Sequence, residues 1–345
     1  MKKPVSEFRE DMVSGDWILV ASRRGRRPNV FNNKKGSSWK NISKKNCPFD
    51  NPQKKGNPNP VLWYGLEHLK SGVKKPEFKN WFVQIIPNKF PALSPSKVCP
   101  SQISRNHYNF FNGVGFHDVI ITRPHDRSLG EMSHKEAELV LCAYQNRYLS
   151  LKKEKCVEYI LIFHNHGAGA GASIAHPHSQ LIAMPIIPPD VSRSFAGSER
   201  YFKKCGHCVH CTMLEWELSK KNRIVFQNDY FVVLAPFASR VSFELRIYPK
   251  WHASHFEELD ERKRIWLAEA LVEALRRLDK VLDGPDYNFF IHTAPAKVKY
   301  MEHYHWHFEI LPKTGVWAGL EFGTGVEVVS VPPEEAAKML RLAKK

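Results

Sequence analysis

The sequence has no stretch approaching the ~18 uninterrupted apolar residues that span a bilayer, and no basic segment followed by an apolar run at its amino terminus. Both absences point to a soluble, cytoplasmic protein with no membrane partner. Acidic residues are scarce beside basic ones, 35 against 51, which leaves a formal net charge of +16 and favours polyanionic partners. Nucleic acid is the ordinary inference from such a charge. Here Lys34, Lys35, Lys40, Lys44, Lys45, Lys54, Lys55, Lys70, Lys74 and Lys75 are scattered through a Gly/Pro/Asn-rich stretch and line no helix face. That stretch reads as a solvated insertion, so a small phosphorylated ligand accounts for the charge better than a duplex does. Cysteine is limited to seven, an odd number, which argues against a disulfide framework and leaves thiols for packing or metal. Cys142 lies in the apolar run that begins Leu139-Val140-Leu141 and is expected in the core, while Cys99 and Cys156 have no partner at ligand spacing and are expected to be structural. Cys205, Cys208 and Cys211 differ, since three-residue steps set them beside His207 and His210.

With 345 residues and 43% apolar content the chain can bury one large core or two medium ones, and two domains are expected. Apolar alternation predicts strands over 17–20, 81–86 and 118–121, then a helix over 133–153 and a strand over 159–163. The helix opens with Ser133 and Glu136 in a capping-box pattern and continues with Leu139, Cys142 and Ala143 at helical spacing. The same order then returns: strands over 224–226, 230–234 and 243–248, a helix over 259–281, and a strand over 287–291.

Intervals between landmarks make a duplication explicit. His125 to Tyr159 is 34 positions and His252 to Tyr287 is 35; Tyr159 to His176 is 17 and Tyr287 to His305 is 18. Cys47-Pro48-Phe49-Asp50 stands opposite Cys208-Val209-His210-Cys211, and Asn88-Lys89-Phe90 opposite Asn228-Asp229-Tyr230. Each half ends in spaced histidines: His176, His178 and Gln180 in the first, His305, His307 and Glu309 in the second. The interval from Cys47 to Asn88 is 41 against 20 in the second half, and the excess is the lysine-rich stretch, expected as a loop. The break between Pro188-Pro189 and Tyr201 divides the chain into expected domains 1–192 and 193–345.

On an extended strand, residues two apart share a face, so His176, His178 and Gln180 are expected to project together. Immediately before them, His164-Asn165-His166-Gly167-Ala168-Gly169-Ala170-Gly171-Ala172-Ser173 is glycine-rich enough for its backbone to approach an anion and offer N–H groups to phosphate oxygens. An imidazole can attack phosphorus and leave again, dividing one transfer into two easier ones, provided it is neutral near pH 7. Gln180 beside it can donate to the phosphoryl oxygen where charge develops, without ionising itself. His178 is therefore the expected nucleophile.

Taken together, Arg24 and Arg27 before Pro28, Cys47-Pro48-Phe49, Asn88-Lys89-Phe90, Asn165, Ser173 and His176-Pro177-His178-Ser179-Gln180 resemble the galactose-1-phosphate uridylyltransferase family of the histidine-triad superfamily. The resemblance covers nearly the whole chain and extends to 319–325, near where that family contacts the hexose phosphate, and to Pro332-Pro333-Glu334-Glu335 beyond it. It implies an α+β fold of two histidine-triad-like domains, each a mostly antiparallel sheet with a packed helix, in a homodimer. It also implies a ping-pong enzyme: His178 takes uridylyl from UDP-glucose, and a hexose 1-phosphate, galactose 1-phosphate, collects it. Gln180 would steady the phosphoryl oxygens, Asn165 and Ser173 the phosphates, and Arg24, Arg27, Asn88 and Phe90 the nucleotide. Because Ser179 stands where glycine is more usual, and also occurs in relatives resembling ADP-glucose phosphorylase, ADP-glucose with inorganic phosphate is a second substrate pair. A non-catalytic nucleotide- or nucleic-acid-binding protein is a third reading, against which the intact pair His178 and Gln180 argues. Hydrolases of the superfamily keep a third histidine where this chain has Gln180.

Zinc takes four ligands drawn from thiolate and imidazole, and Cys208 with Cys211 supplies half of such a set, to be completed by His252 and His305 through the repeat. His255 competes with His252, and Cys205 can replace Cys211 as the partner of Cys208. The first-half counterpart is Cys47, Asp50, His125 and His176, where a carboxylate replaces the second thiolate and weakens the match to Zn2+. Either ion would be structural.

Overall fold

The computed structural model describes residues 6–22, 24, 43–69 and 78–343. Its first half runs β1 (Glu7–Glu10), β2 (Trp17–Val20), β3 (Leu62–Tyr64), β4 (Val83–Pro87), β5 (Ile103–Arg105), β6 (Tyr108–Phe110), β7 (Phe116–Thr122), α1 (His134–Leu151), β8 (Tyr159–His166) and β9 (His178–Met184). Then come α2 (Pro189–Cys205), α3 (Val209–Lys220), β10 (Ile224–Gln227), β11 (Phe231–Leu234), β12 (Leu245–Pro249), α4 (Glu261–Leu282), β13 (Tyr287–His292), β14 (His307–Pro312), α5 (Gly319–Thr324), β15 (Glu327–Val329) and α6 (Pro333–Leu342). The fold is α+β, as expected.

Among the described residues, ten strands form one antiparallel sheet in the order β10-β11-β12-β14-β13-β8-β9-β7-β4-β3. Read outward from the β13–β8 seam, the two halves have the same strand order, which is the duplication that the intervals predict. The seam pairs Asn288 with Asn165 and Phe290 with Phe163. Part of the expected insertion loop is β3, the edge strand that corresponds to β10. The expected boundary between 192 and 193 falls inside α2, where Pro189 occupies the first turn and its missing N–H costs nothing.

Both long helices lie on one face. At the start of α1, the Glu136 N–H donates to Ser133 Oγ at 3.3 Å and the Ser133 N–H to Glu136 Oε2 at 2.9 Å, closing the capping box. At the start of α4, Asp260 accepts from the Arg262 N–H at 2.7 Å. The two helices pack on each other and on Ile160, Leu181, Phe289 and Phe308 in one apolar core that runs through both halves. Truncating a fully buried member such as Leu271 to alanine costs about 2–5 kcal/mol. Because side chains alternate across a strand, the residues between these core positions emerge on the face opposite α1 and α4, and these include His178, Gln180, His307 and Glu309.

Cysteine use departs from expectation at two places. Cys99, in the loop after β4, and Cys156, in the turn between α1 and β8, form a disulfide across 57 residues of sequence. Tertiary proximity brings them together, and no local spacing announces it. Cys142 is only half-buried and receives a hydrogen bond from Asn146 at 3.3 Å.

Candidate active site

Strand β9 opens at His178, whose ring is 7% exposed. Its Nδ1 lies 2.9 Å from the His176 carbonyl, which can only accept, so Nδ1 carries the proton and Nε2 the lone pair. Burial holds the His178 pKa below the ordinary 6.5, with the His176 carbonyl opposing it, so the ring is neutral at pH 7. No described residue bonds Nε2, and Phe49 meets the ring edge-on at 5.1 Å between centroids. The result is a neutral imidazole with its nucleophilic nitrogen available.

Gln180 follows on the same face, with Oε1 2.8 Å from His117 Nε2. Asn165 shares that face through the pairing of Phe163 with Gln180, and its Oδ1 accepts from Asn288 Nδ2 at 2.8 Å. Asn288 Nδ2 also donates to the Ala170 carbonyl at 2.8 Å, so Asn165 is oriented with its amide nitrogen to spare. Asn88, at the end of β4, donates its N–H to the His117 carbonyl at 2.8 Å and sets Nδ2 3.2 Å from His117 Nε2. Ser179 points the other way: its Oγ is hydrogen-bonded to the Tyr144 hydroxyl on α1 and lies 2.9 Å from His164 Nδ1.

Part of the glycine-rich loop is engaged within the protein. The Gly169 N–H donates to Asp286 Oδ2 at 2.6 Å, and a Cβ on Gly167 (φ +85) would sit 1.7 Å from Asp286 Oδ1. The anion approached by this backbone is a carboxylate of the protein, which ties the loop to the second half beside the β13–β8 seam.

His176 precedes β9 and turns to a cluster with Cys47, Asp50 and His125, whose ligand atoms all lie within 4.8 Å of one another. His176 Nε2 is 2.6 Å from the Thr122 carbonyl, so Nε2 holds the proton and the Nδ1 lone pair faces Cys47 Sγ at 3.5 Å. Burial pushes the His176 pKa down to about 4, which keeps it a neutral ligand. His125 Nδ1 meets Asp50 Oδ2 at 2.7 Å. A second cluster, with ligand atoms also within 4.8 Å of one another, joins Cys208, Cys211, His252 and His305. Cys211 Sγ lies 3.3 Å from His252 Nδ1 and 3.6 Å from His305 Nδ1. His255 is engaged elsewhere, by Ser254 Oγ at 2.8 Å and the Val298 carbonyl at 2.9 Å, and exposed Cys205 at the end of α2 stays outside the cluster. Both four-residue groups can hold a metal ion.

The second half repeats the geometry with altered chemistry. His307 Nδ1 sits 3.0 Å from the His305 carbonyl, as His178 does from that of His176. Glu309 replaces Gln180, with Oε2 3.1 Å from His292 Nε2 and Oε1 3.6 Å from Arg240. Burial opposes its ionisation, but Arg246, His292 and Arg240 together outweigh burial and hold its pKa below the carboxylate range. A carboxylate locked in ion pairs has no N–H to offer a phosphoryl oxygen, so only the first half presents both a nucleophile and a donor.

The remaining expected nucleotide residues are exposed where they are described. Arg24 is exposed past β2 and Ser173 is exposed beyond the glycine loop. Phe90 is 82% exposed, with its N–H donated to Asn88 Oδ1 at 2.9 Å. Arg27 lies outside the described residues. Sequence reasoning missed His117, Asn288 and Asp286. The signal for His117 was present, a polar residue two positions before the apolar run of β7 and on the parity of Val119 and Ile121.

The chain is similar to known proteins along nearly its whole length. The family model described as "Galactose-1-phosphate uridyl transferase, N-terminal domain" matches residues 2–188, and one described as "HIT domain" matches 217–315. An ADP-glucose phosphorylase of Arabidopsis thaliana is 34% identical over 97% of this chain and 92% of its own. A galactose-1-phosphate uridylyltransferase of Thermotoga maritima is 26% identical over 97% of this chain and 98% of its own. The solved structure of an ADP-glucose phosphorylase from Arabidopsis thaliana with bound ADP-glucose superposes with a TM-score of 0.79 at 32% identity, covering 97% of this chain and 98% of that one.

Proposed function

The chain belongs to the galactose-1-phosphate uridyl transferase family, and from that premise we propose that it moves a nucleotidyl group from a nucleotide sugar to a phosphate acceptor through a covalent bond to His178. The family makes it a nucleotidyltransferase. The donor is UDP-glucose and the acceptor a hexose 1-phosphate, galactose 1-phosphate. The observation that carries the reading is the His178 ring itself, with Nδ1–H given to the His176 carbonyl and no described residue on Nε2.

Nε2 attacks the α-phosphorus, the bond from phosphorus to the bridging oxygen breaks, and glucose 1-phosphate leaves with that electron pair. The imidazole becomes cationic, and Nδ1–H remains on the His176 carbonyl, which stabilises that charge. Gln180 donates from its amide nitrogen to the non-bridging oxygens, and Asn165 does so from the neighbouring strand. A phosphate oxygen of the acceptor then attacks the same phosphorus, and Nε2 departs with the bonding pair as a neutral ring.

A specific observation favours the second substrate pair as well. The Arabidopsis thaliana relative named for ADP-glucose phosphorolysis is 34% identical over nearly the whole chain, and its structure carries ADP-glucose. In that reading inorganic phosphate collects an adenylyl group from the same nitrogen. Exchange of labelled glucose 1-phosphate into UDP-glucose or ADP-glucose, with no acceptor present, distinguishes the two. Exchange into one donor supports the ping-pong route and names the base, whereas exchange into neither sinks it.

Zn2+ suits Cys208, Cys211, His252 and His305, and suits Cys47, Asp50, His125 and His176 less well. Four protein ligands leave no open position, so the ion fixes the ends of strands and supplies no chemical step. Among the described residues no helix is long and apolar enough to cross a membrane. We place the enzyme in the cytoplasm as a homodimer, with units 1–192 and 193–345.

A further inference from the structure

His117 is not adjacent to Gln180 in sequence. It lies diagonally across the β7–β9 pairing, where His117 pairs with Ile182 and Val119 with Gln180. Its two ring nitrogens face different kinds of partner. The Ala92 N–H donates to Nδ1 at 3.0 Å, and a backbone N–H can only donate, so Nδ1 must hold the lone pair. In a neutral imidazole the proton is then on Nε2, which lies 2.8 Å from Gln180 Oε1. The Asn88 amide nitrogen, 3.2 Å from the same Nε2, is a second donor against it, because Asn88 Oδ1 is already fixed by the Phe90 N–H at 2.9 Å. Gln180 is thus the group whose oxygen accepts from the ring.

We propose that His117 is the positioning residue for Gln180: by donating Nε2–H to Oε1 it selects one of the two amide orientations and turns the Gln180 N–H groups toward the phosphoryl oxygens. Without that donor a glutamine amide is free to rotate, and half of its orientations present an oxygen lone pair to an anion, which repels. The loop that starts at Asn88 is therefore part of the catalytic apparatus at one remove. Its Ala92 N–H sets the tautomer of His117, His117 sets the amide, and the amide meets the charge that develops on phosphorus.

This inference rests on the transfer reading, and the experiment separates the two. Rapid-quench intact mass follows nucleotidyl-enzyme formation from UDP-glucose and from ADP-glucose, across donor concentrations, for the wild type, His117→Phe, His117→Gln, Gln180→Ala and the double variant His117→Phe/Gln180→Ala. His117→Phe lowers the maximal rate about 10- to 30-fold with little change in half-saturating donor, the loss of one oriented donor to a transition state. His117→Gln, which can present an amide N–H near the position of Nε2, recovers most of it. In the Gln180→Ala background His117→Phe changes the rate less than about twofold, because its route of action is gone. An unchanged rate in His117→Phe, or an effect that multiplies in the Gln180→Ala background, overturns the inference while a wild-type adduct leaves the transfer reading standing. No wild-type adduct from either donor overturns both. If His117→Phe fails to fold, His117→Asn, too short to reach Oε1, replaces it in the same comparison.

Discussion

Removing one oxygen behind the nucleophile strand tests how that strand is held. Ser179 is 3% exposed, Tyr144 is fully buried and His164 is 1% exposed, and the Ser179 hydroxyl bonds both of the others. In Ser179→Ala the Tyr144 hydroxyl and His164 Nδ1 lose their shared partner, while His164 Nε2 already has none. Two newly unpaired buried groups at about 1–3 kcal/mol each, allowing for partial relaxation, give about 3 kcal/mol. With an unfolding entropy of ~2.1 cal/mol/K per residue, a chain of 345 residues melts about 4 °C lower if it unfolds in one transition. Tyr144→Phe alone keeps the bond between Ser179 and His164 and costs about 1 kcal/mol. In the double variant no tyrosine hydroxyl is left unpaired, so the total falls short of the sum by about 1 kcal/mol. Scanning calorimetry on the four proteins reads all three quantities. Adduct formation on His178 well below the melting temperature stays close to wild type, because Ser179 faces α1 and away from the phosphate. A Ser179→Ala protein that melts with the wild type, or strict additivity in the double variant, refutes the reasoning.

The same histidine sets a pH dependence. Burial holds His164 uncharged in the folded protein with a pKa well below 6.5, so the unfolded chain binds one more proton below that pH. Its contribution to stability is intact above about pH 6.5 and is lost as pH falls, at about 1.4 kcal/mol per unit. Urea unfolding between pH 6 and pH 5 is expected to show a slope smaller by that amount in His164→Gln. Gly167→Ala is expected to destabilise strongly, since its Cβ would lie 1.7 Å from Asp286 Oδ1, and Asp286→Ala in the same chain should return part of the loss in a melting experiment. For the metal, Cys208→Ser is expected to lose one ion per chain by elemental analysis, and Asp50→Cys to make the first cluster retain zinc against a chelator longer than the parent does.

Periodicity and spacing carried much of the architecture. The alternation that predicts 118–121 and the capping pair Ser133 and Glu136 locate β7 and α1 because local chemistry decides them. The near-equal intervals around His125 and His252 placed both ligand sets, since two copies of one fold put equivalent residues at equivalent strand ends. Pro188-Pro189 read as a break, yet proline is as much at home in the first turn of α2 as in a linker. Contacts made only by tertiary folding stayed hidden. Cys99 meets Cys156 across an unrelated loop, Asp286 reaches the glycines from the other half, and His117 finds Gln180 diagonally across two strands. The glycine-rich run announced an anion close to the backbone without naming it, since a ligand phosphate and the internal carboxylate of Asp286 leave the same signature.

The measurement that bears most directly on nucleotidyl transfer through His178 is intact-protein mass after mixing the enzyme with UDP-glucose or ADP-glucose in the absence of acceptor. One nucleotidyl adduct per chain is expected from one of the two donors, discharged by galactose 1-phosphate or by inorganic phosphate respectively, and absent from His178→Ala. An unmodified wild-type chain with both donors, or an adduct that persists in His178→Ala, contradicts the account.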